Sequence, residues 1–121
     1  MKFVWSTLYV KDLEQSLKFY QEIVKLPLVR RFVAGPGREI AFLGEGETQI
    51  ELIQDEKRMM NIQAGGDFSW GFACDDVDAM YALCKEKGIP VYSEISSPNP
   101  HLRYFMALDP NGLKVQFVEE K

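Results

Sequence analysis

One order of elements occurs twice in this chain, and that repetition is what most limits its fold. Phe3 to Val10 is rich in aromatic and β-branched residues and reads as a strand. A helix follows, then strands at Leu28 to Val33, Glu39 to Leu43 and Thr48 to Ile53, with Gly-rich turns between them. The stretch Asp55 to Asp67 is polar apart from Met59, Met60 and Ile62 and serves as a link, where the two methionines pack under the loop or touch a partner subunit. Phe68 to Cys74 then reads as a strand, followed by a second helix, a short strand or loop edge at Val91 to Ser93, and strands at Leu102 to Leu108 and Leu113 to Val118. The halves match at an offset of 65 residues: Trp5 with Trp70, Glu51 with Gln116, Ile40–Leu43 with Phe105–Leu108, and Thr48–Ile53 with Leu113–Val118. Weak identity with consistent order is the mark of an internal duplication.

Local chemistry sets the helix ends. Asp12 stands at an N-cap with Gln15 three residues on, and Leu13, Leu17, Tyr20 and Val24 follow at helical spacing before Pro27 stops the run. In the second half Asp75 or Asp76 caps a helix whose buried positions are Val77, Met80, Tyr81 and Cys84, ended by Gly88 and Pro90. The expected architecture is α+β: a single domain over residues 1–121, with one βαβββ module over about 1–55, a link over 56–66 and a second module over 67–121.

Composition narrows the function. The 14 basic and 18 acidic residues leave a net charge of −4, so the chain has no general electrostatic reason to bind nucleic acid or an anionic membrane. No apolar run reaches the roughly 18 residues that span a bilayer, and the N-terminal strand lacks a cleavage site. The 2 cysteines, Cys74 and Cys84, make no disulfide framework, which favours the cytoplasm. The single histidine, His101, follows Pro98-Asn99-Pro100 and reads as a solvated loop residue. Asp75, Asp76 and Asp78 read as a helix N-terminus complementing its dipole.

Three segments carry a family resemblance: Leu8 to Tyr20 with its Ser16-x-x-Phe19-Tyr20 helix, Gln49-Ile50-Glu51-Leu52, and Asp109-Pro110-Asn111-Gly112 followed by Lys114-Val115-Gln116-Phe117. From Phe3 to Val118 the chain resembles the vicinal oxygen chelate superfamily, which includes glyoxalases, bleomycin resistance proteins and dioxygenases. The resemblance implies two modules related by a pseudo-twofold, curved mixed sheets around a cavity, and helices outside. It implies a homodimer as well.

The resemblance also implies four metal-ligand positions, which fall on Trp5, Glu51, Trp70 and Gln116. Only Glu51 is a strong ligand; Gln116 offers a neutral oxygen and an indole N–H is a donor only. The expectation is therefore no metal and no cofactor. Family lyases acting on lactoylglutathione place a glutathione-binding arginine on the first strand, where this chain has Tyr9. Strand alternation on the expected fold points Phe3, Trp5, Thr7, Tyr9, Gln49, Glu51 and Ile53 inward from the first module, and Phe68, Trp70, Phe72, Cys74, Lys114, Gln116 and Val118 inward from the second. Glu51 among these aromatics is explained either by a salt bridge to Lys114, Arg38 or Arg103, or by a pocket for a cationic or hydrogen-bond-donating ligand, a cationic aromatic one being favoured. Three functions are consistent with this pattern. The leading one is a metal-free small-molecule-binding protein. The second is a lactoylglutathione-lyase-like or dioxygenase-like enzyme with Glu51 as base, and the third an interaction module whose cavity its own side chains fill.

Overall fold

The computed structural model describes residues 1–121, apart from the side chain of Met60, so the packing expected of Met60 lies outside the described residues. The chain divides into two compact units, Met1–Ala64 and Gly65–Lys121. Unit 1 runs β1 (Trp5–Tyr9), α1 (Leu13–Lys18), a π-helical turn (Phe19–Ile23), β2 (Leu28–Val33), β3 (Arg38–Leu43), β4 (Gln49–Asp55) and a 3₁₀ turn (Met59–Asn61). Unit 2 runs β5 (Ser69–Ala73), α2 (Val77–Glu86), β6 (Val91–Asn99), β7 (Leu102–Leu108) and β8 (Lys114–Glu120). The sheets have the orders β1-β4-β3-β2 and β5-β8-β7-β6, and only β1–β4 and β5–β8 are parallel. Each unit is thus a βαβββ module, and the chain is α+β.

Capping chemistry is the same in both units. Asp12 accepts from the Gln15 N–H at 3.2 Å, and Asp76 from the Ala79 N–H at 3.0 Å. A side chain from the sheet then takes the first helical N–H: Gln54 accepts from Leu13 at 2.7 Å, and Glu119 from Val77 at 2.9 Å. Because Asp12 holds one of the donors left orphaned at the helix start, Asp12→Ala should cost about 1 kcal/mol. A urea titration should show a lower midpoint with an unchanged slope.

α1 lies on the β4 face that carries Gln54, and there Leu13, Leu17, Tyr20, Leu43 and Leu52 are fully or almost fully buried. Each such side chain contributes roughly 1.5–3 kcal/mol by leaving water. Ile23 is buried where Val24 was expected; Val24 is the C-cap, half-exposed where the chain leaves the helix through Lys25 at φ 67°. In α2, Val77 and Cys84 are buried, but Met80 and Tyr81 are only half-buried. β6 is nine residues long, against the short edge expected. Its pairing with β7 shifts register three times, and such bulges let an edge strand carry Glu94, Ser96, Ser97 and Pro98.

The repeat is real, but its offset varies. Val10 N–H donates to Ile53 O, and Cys74 N–H to Val118 O. The donors are 64 residues apart and the acceptors 65. The caps Asp12 and Asp76 are also 64 apart, while β4 and β8 are 65 apart. The cause is one added residue in the β7–β8 turn: Gly44 and Leu108 donate to the prolines that precede β2 and β6, with four residues between Gly44 and Gln49 but five between Leu108 and Lys114. Trp70 therefore pairs with Val115, whereas Trp5 pairs with Gln49. The structural counterpart of Trp5 is Ser69.

Candidate functional site

Opposite α1, the unit 1 sheet presents its side chains in rows that cross the strands. One row reads Thr7, Glu51, Phe42, Arg30; the next reads Tyr9, Ile53, Ile40, Phe32; a third carries Asp55 and Arg38. Trp5 and Gln49 lie beyond the first row. Ile40, Phe42 and Ile53 form the buried floor, with Tyr9 packed against them. Around this floor Trp5 and Phe32 stay 47% and 41% exposed, which is high for rings of their size. Trp5 meets Phe42 edge-on at 5.4 Å, and Phe32 stacks on Phe42 at 6.4 Å.

Polar groups are fixed to the same face. Thr7 Oγ1 donates to Glu51 Oε1 at 2.6 Å, and no ion pair forms at Glu51 among the described residues. Of the cations expected to pair with Glu51, Arg38 lies in the same unit and is engaged elsewhere. Arg38 hydrogen-bonds Tyr9, which holds its pKa above the usual value, and lies 3.5 Å from Asp55. Arg103 forks onto Asp78 at 2.7 and 3.1 Å, and Lys114 lies 4.9 Å from the Tyr92 ring centre. Gln49 donates to Gly44 O at 3.1 Å and so braces the β3–β4 turn. Two further arginines rest over rings: Arg30 is 4.3 Å from the Phe42 centre, and Arg58 is 4.0 Å from that of Tyr9.

The second inward set divides between the two faces of its sheet. Gln116 pairs with Gly71, and a Cβ placed on Gly71 would come within 3.3 Å of Gln116 Oε1. Lys114, Gln116 and Val118 therefore share their face with Ser69, Gly71 and Ala73. Trp70 and Phe72 pair with Val115 and Phe117, on the face that α2 covers. Placing Trp70, Phe72 and Gln116 on one face is thus corrected: the one-residue slip turns every β5 side chain over.

Arg30, Arg58 and Phe42 were missed by the reading of the sequence. Arg30, Phe32, Ile40 and Phe42 do alternate on their strands, so pairing those strands in phase with Glu51 would have revealed them. Arg58 lies past the end of β4 and carries no such signal. Near the start of α2, Asp75, Asp76 and Asp78 line a polar hollow with Arg103, Glu119 and Lys121. Its two cations are each paired, Arg103 with Asp78 and Lys121 with Glu119 at 3.4 Å, and Asp75, Asp76 and Glu120 leave the hollow acidic. The hydrogen bond to Arg103 lowers the Asp78 pKa. His101 is exposed in the β6–β7 turn.

A fold of two βαβββ modules with an aromatic face opposite one helix agrees with the matched family model. The chain belongs to the Glyoxalase/Bleomycin resistance protein/Dioxygenase superfamily, whose model covers residues 2–117. It is 30% identical to a lactoylglutathione lyase of Neisseria meningitidis over 128 aligned residues, covering 100% of this chain and 92% of that protein. Among solved structures, the trypanothione-dependent glyoxalase I of Leishmania major superposes with a TM-score of 0.85 at 21% identity, covering 99% of this chain and 87% of that one. TnmS3, an antibiotic binding protein from Streptomyces sp. CB03234, gives 0.76 at 23% identity, covering 100% and 98%. At these identities the two structures speak to fold alone. No helix of the described residues is long and apolar enough to cross a membrane.

Proposed function

We propose that this chain is a small-molecule-binding member of the superfamily whose site works without a tightly held metal. The observation that carries the reading is Trp5, a half-exposed indole edge-on to Phe42 at a position where the family implies a metal ligand. The donor set fits a metal poorly. Unit 1 supplies Trp5 and Glu51, and Glu51 already accepts from Thr7. In unit 2 the register puts Ser69, in place of Trp70, on the face of Gln116. One carboxylate, one hydroxyl and one amide fall short of the three or four His, Cys or carboxylate ligands of a tight site.

The aromatic rim suits a flat, apolar body. The preference for a cationic ligand gives way, because Arg30 and Arg58 already occupy the ring faces a cation would seek. Fluorescence titration with the flat, neutral probe N-phenyl-1-naphthylamine tests the reading. Binding should quench tryptophan emission and survive chelator, and Trp5→Phe should remove most of the response. A response left intact by Trp5→Phe would overturn it.

The 30% identity to lactoylglutathione lyase favours a second reading, an enzyme in which Glu51 is the base. Formation of lactoylglutathione that survives chelator and is lost in Glu51→Gln would establish it. A homodimer and a cytoplasmic location remain proposals that rest on family resemblance and cysteine usage.

A further inference from the structure

We propose that the ligand of the unit 1 face is an organic anion, a flat apolar body bearing a carboxylate or sulfonate, and that Arg30 reads its charge with Arg58 in support. This rests on the binding reading above and names the ligand class.

The first argument is charge balance. Three arginines (Arg30, Arg38, Arg58) and two carboxylates (Glu51, Asp55) belong to this face. Arg38 is matched by Asp55 and Glu51 takes the Thr7 hydroxyl, while Arg30 and Arg58 form no ion pair among the described residues. The face therefore carries an excess of one positive charge in a chain whose net charge is −4. A positive patch on a negative protein has a local cause.

The second argument is geometry. An exposed arginine on an edge strand is free to extend into water. Arg30 instead turns inward over the sheet, within 4.3 Å of the Phe42 centre and 5.9 Å of the Phe32 centre. A guanidinium held over a ring loses little freedom when it binds, and its N–H edges still present a fork that fits a planar anion. Glu51, next to Phe42 in the same row, repels an anion that settles on its own side, so it directs the charged end toward Arg30.

Two probes with one aromatic skeleton separate the possibilities: 1-anilinonaphthalene-8-sulfonate and the neutral N-phenyl-1-naphthylamine. The sulfonate should bind about tenfold more tightly, the size of one charge-assisted contact. Arg30→Gln should remove most of that advantage, read as the ratio of the two affinities. Arg30→Lys should restore part of it, and added salt should weaken only the sulfonate. Arg30 is exposed, so circular dichroism should show these variants folded. Equal affinity for both probes, with Arg30→Gln changing neither, overturns the anion assignment; if Trp5→Ala still weakens both, the binding face itself stands. If neither probe binds, or Trp5→Ala changes neither, the face is not the site and both readings fall.

Discussion

Phe117→Ala should lower the melting temperature by about 12–20 °C. Phe117 is 1% exposed at the centre of β8, 5.4 Å from the ring of Phe105, which in turn meets Tyr81 of α2 at 5.3 Å. Truncating a phenylalanine in such a place costs about 3–5 kcal/mol, from lost transfer energy and from the cavity left behind. Each kcal/mol moves the midpoint of a chain this size by about 4 °C. Phe117→Leu, which keeps most of the volume, should cost less than half as much. Calorimetry of the two variants checks this. Equal losses would mean that the ring stack holds little of the unit 2 core.

Alkali should produce the second large effect. Cys84 is fully buried, and burial pushes its thiol from the ordinary value of 9.0 up to about 11. Between these values the unfolded chain has released the proton while the folded chain still holds it. The folded state then binds more protons, so stability falls as pH rises. The contribution is fully present below pH 9 and is lost by pH 11, a cost of about 2–3 kcal/mol. Cys74, raised first by burial, and Tyr81, raised first by its hydrogen bond to Glu94, act in the same direction. Urea midpoints at pH 8, 9.5 and 11 should drop steadily in the parent protein and less steeply in Cys84→Ala. Parallel curves would show that Cys84 does not carry the effect.

What could be read from the sequence divides between local and distant signals. Strand limits such as Leu28–Val33 and Leu102–Leu108, and the cap at Asp12, come from neighbours a few residues away, and the structure has them where they were read; the cap read at Asp75 or Asp76 falls on Asp76. The common face of Thr7 and Glu51 was legible as well, because alternation holds within one unbroken strand. Faces in β5 were not. They depended on carrying an offset from one strand to another, and the tryptophan pair at 65 residues concealed a turn with one extra residue. β6 was read only as a short strand or loop edge at Val91 to Ser93 because bulges relax the alternation that marks a strand. The arginine excess escaped for a different reason: Arg30 and Arg58 belong to the site only through pairings that no single segment encodes.

The π-helical turn at Phe19–Ile23 carries a trace of ancestry. Asp12 and Asp76, at the helix starts, are 64 residues apart, whereas Lys25 and Gly88, the residues with positive φ at the helix ends, are 63 apart. The first helix therefore holds one residue more than the second between equivalent ends. An α-helix that gains a residue rotates everything beyond it by about 100°. A wider turn absorbs the addition locally. The turn where Val24 N–H donates to Phe19 O at 3.2 Å thus lets the insertion persist without disturbing the sheet beyond it. Evolution of the duplicated halves has proceeded here by single-residue length changes, each hidden where the backbone could accommodate it: one in the first helix, one between Pro90 and Leu108 over the bulged β6–β7 pair, and one in the β7–β8 hairpin.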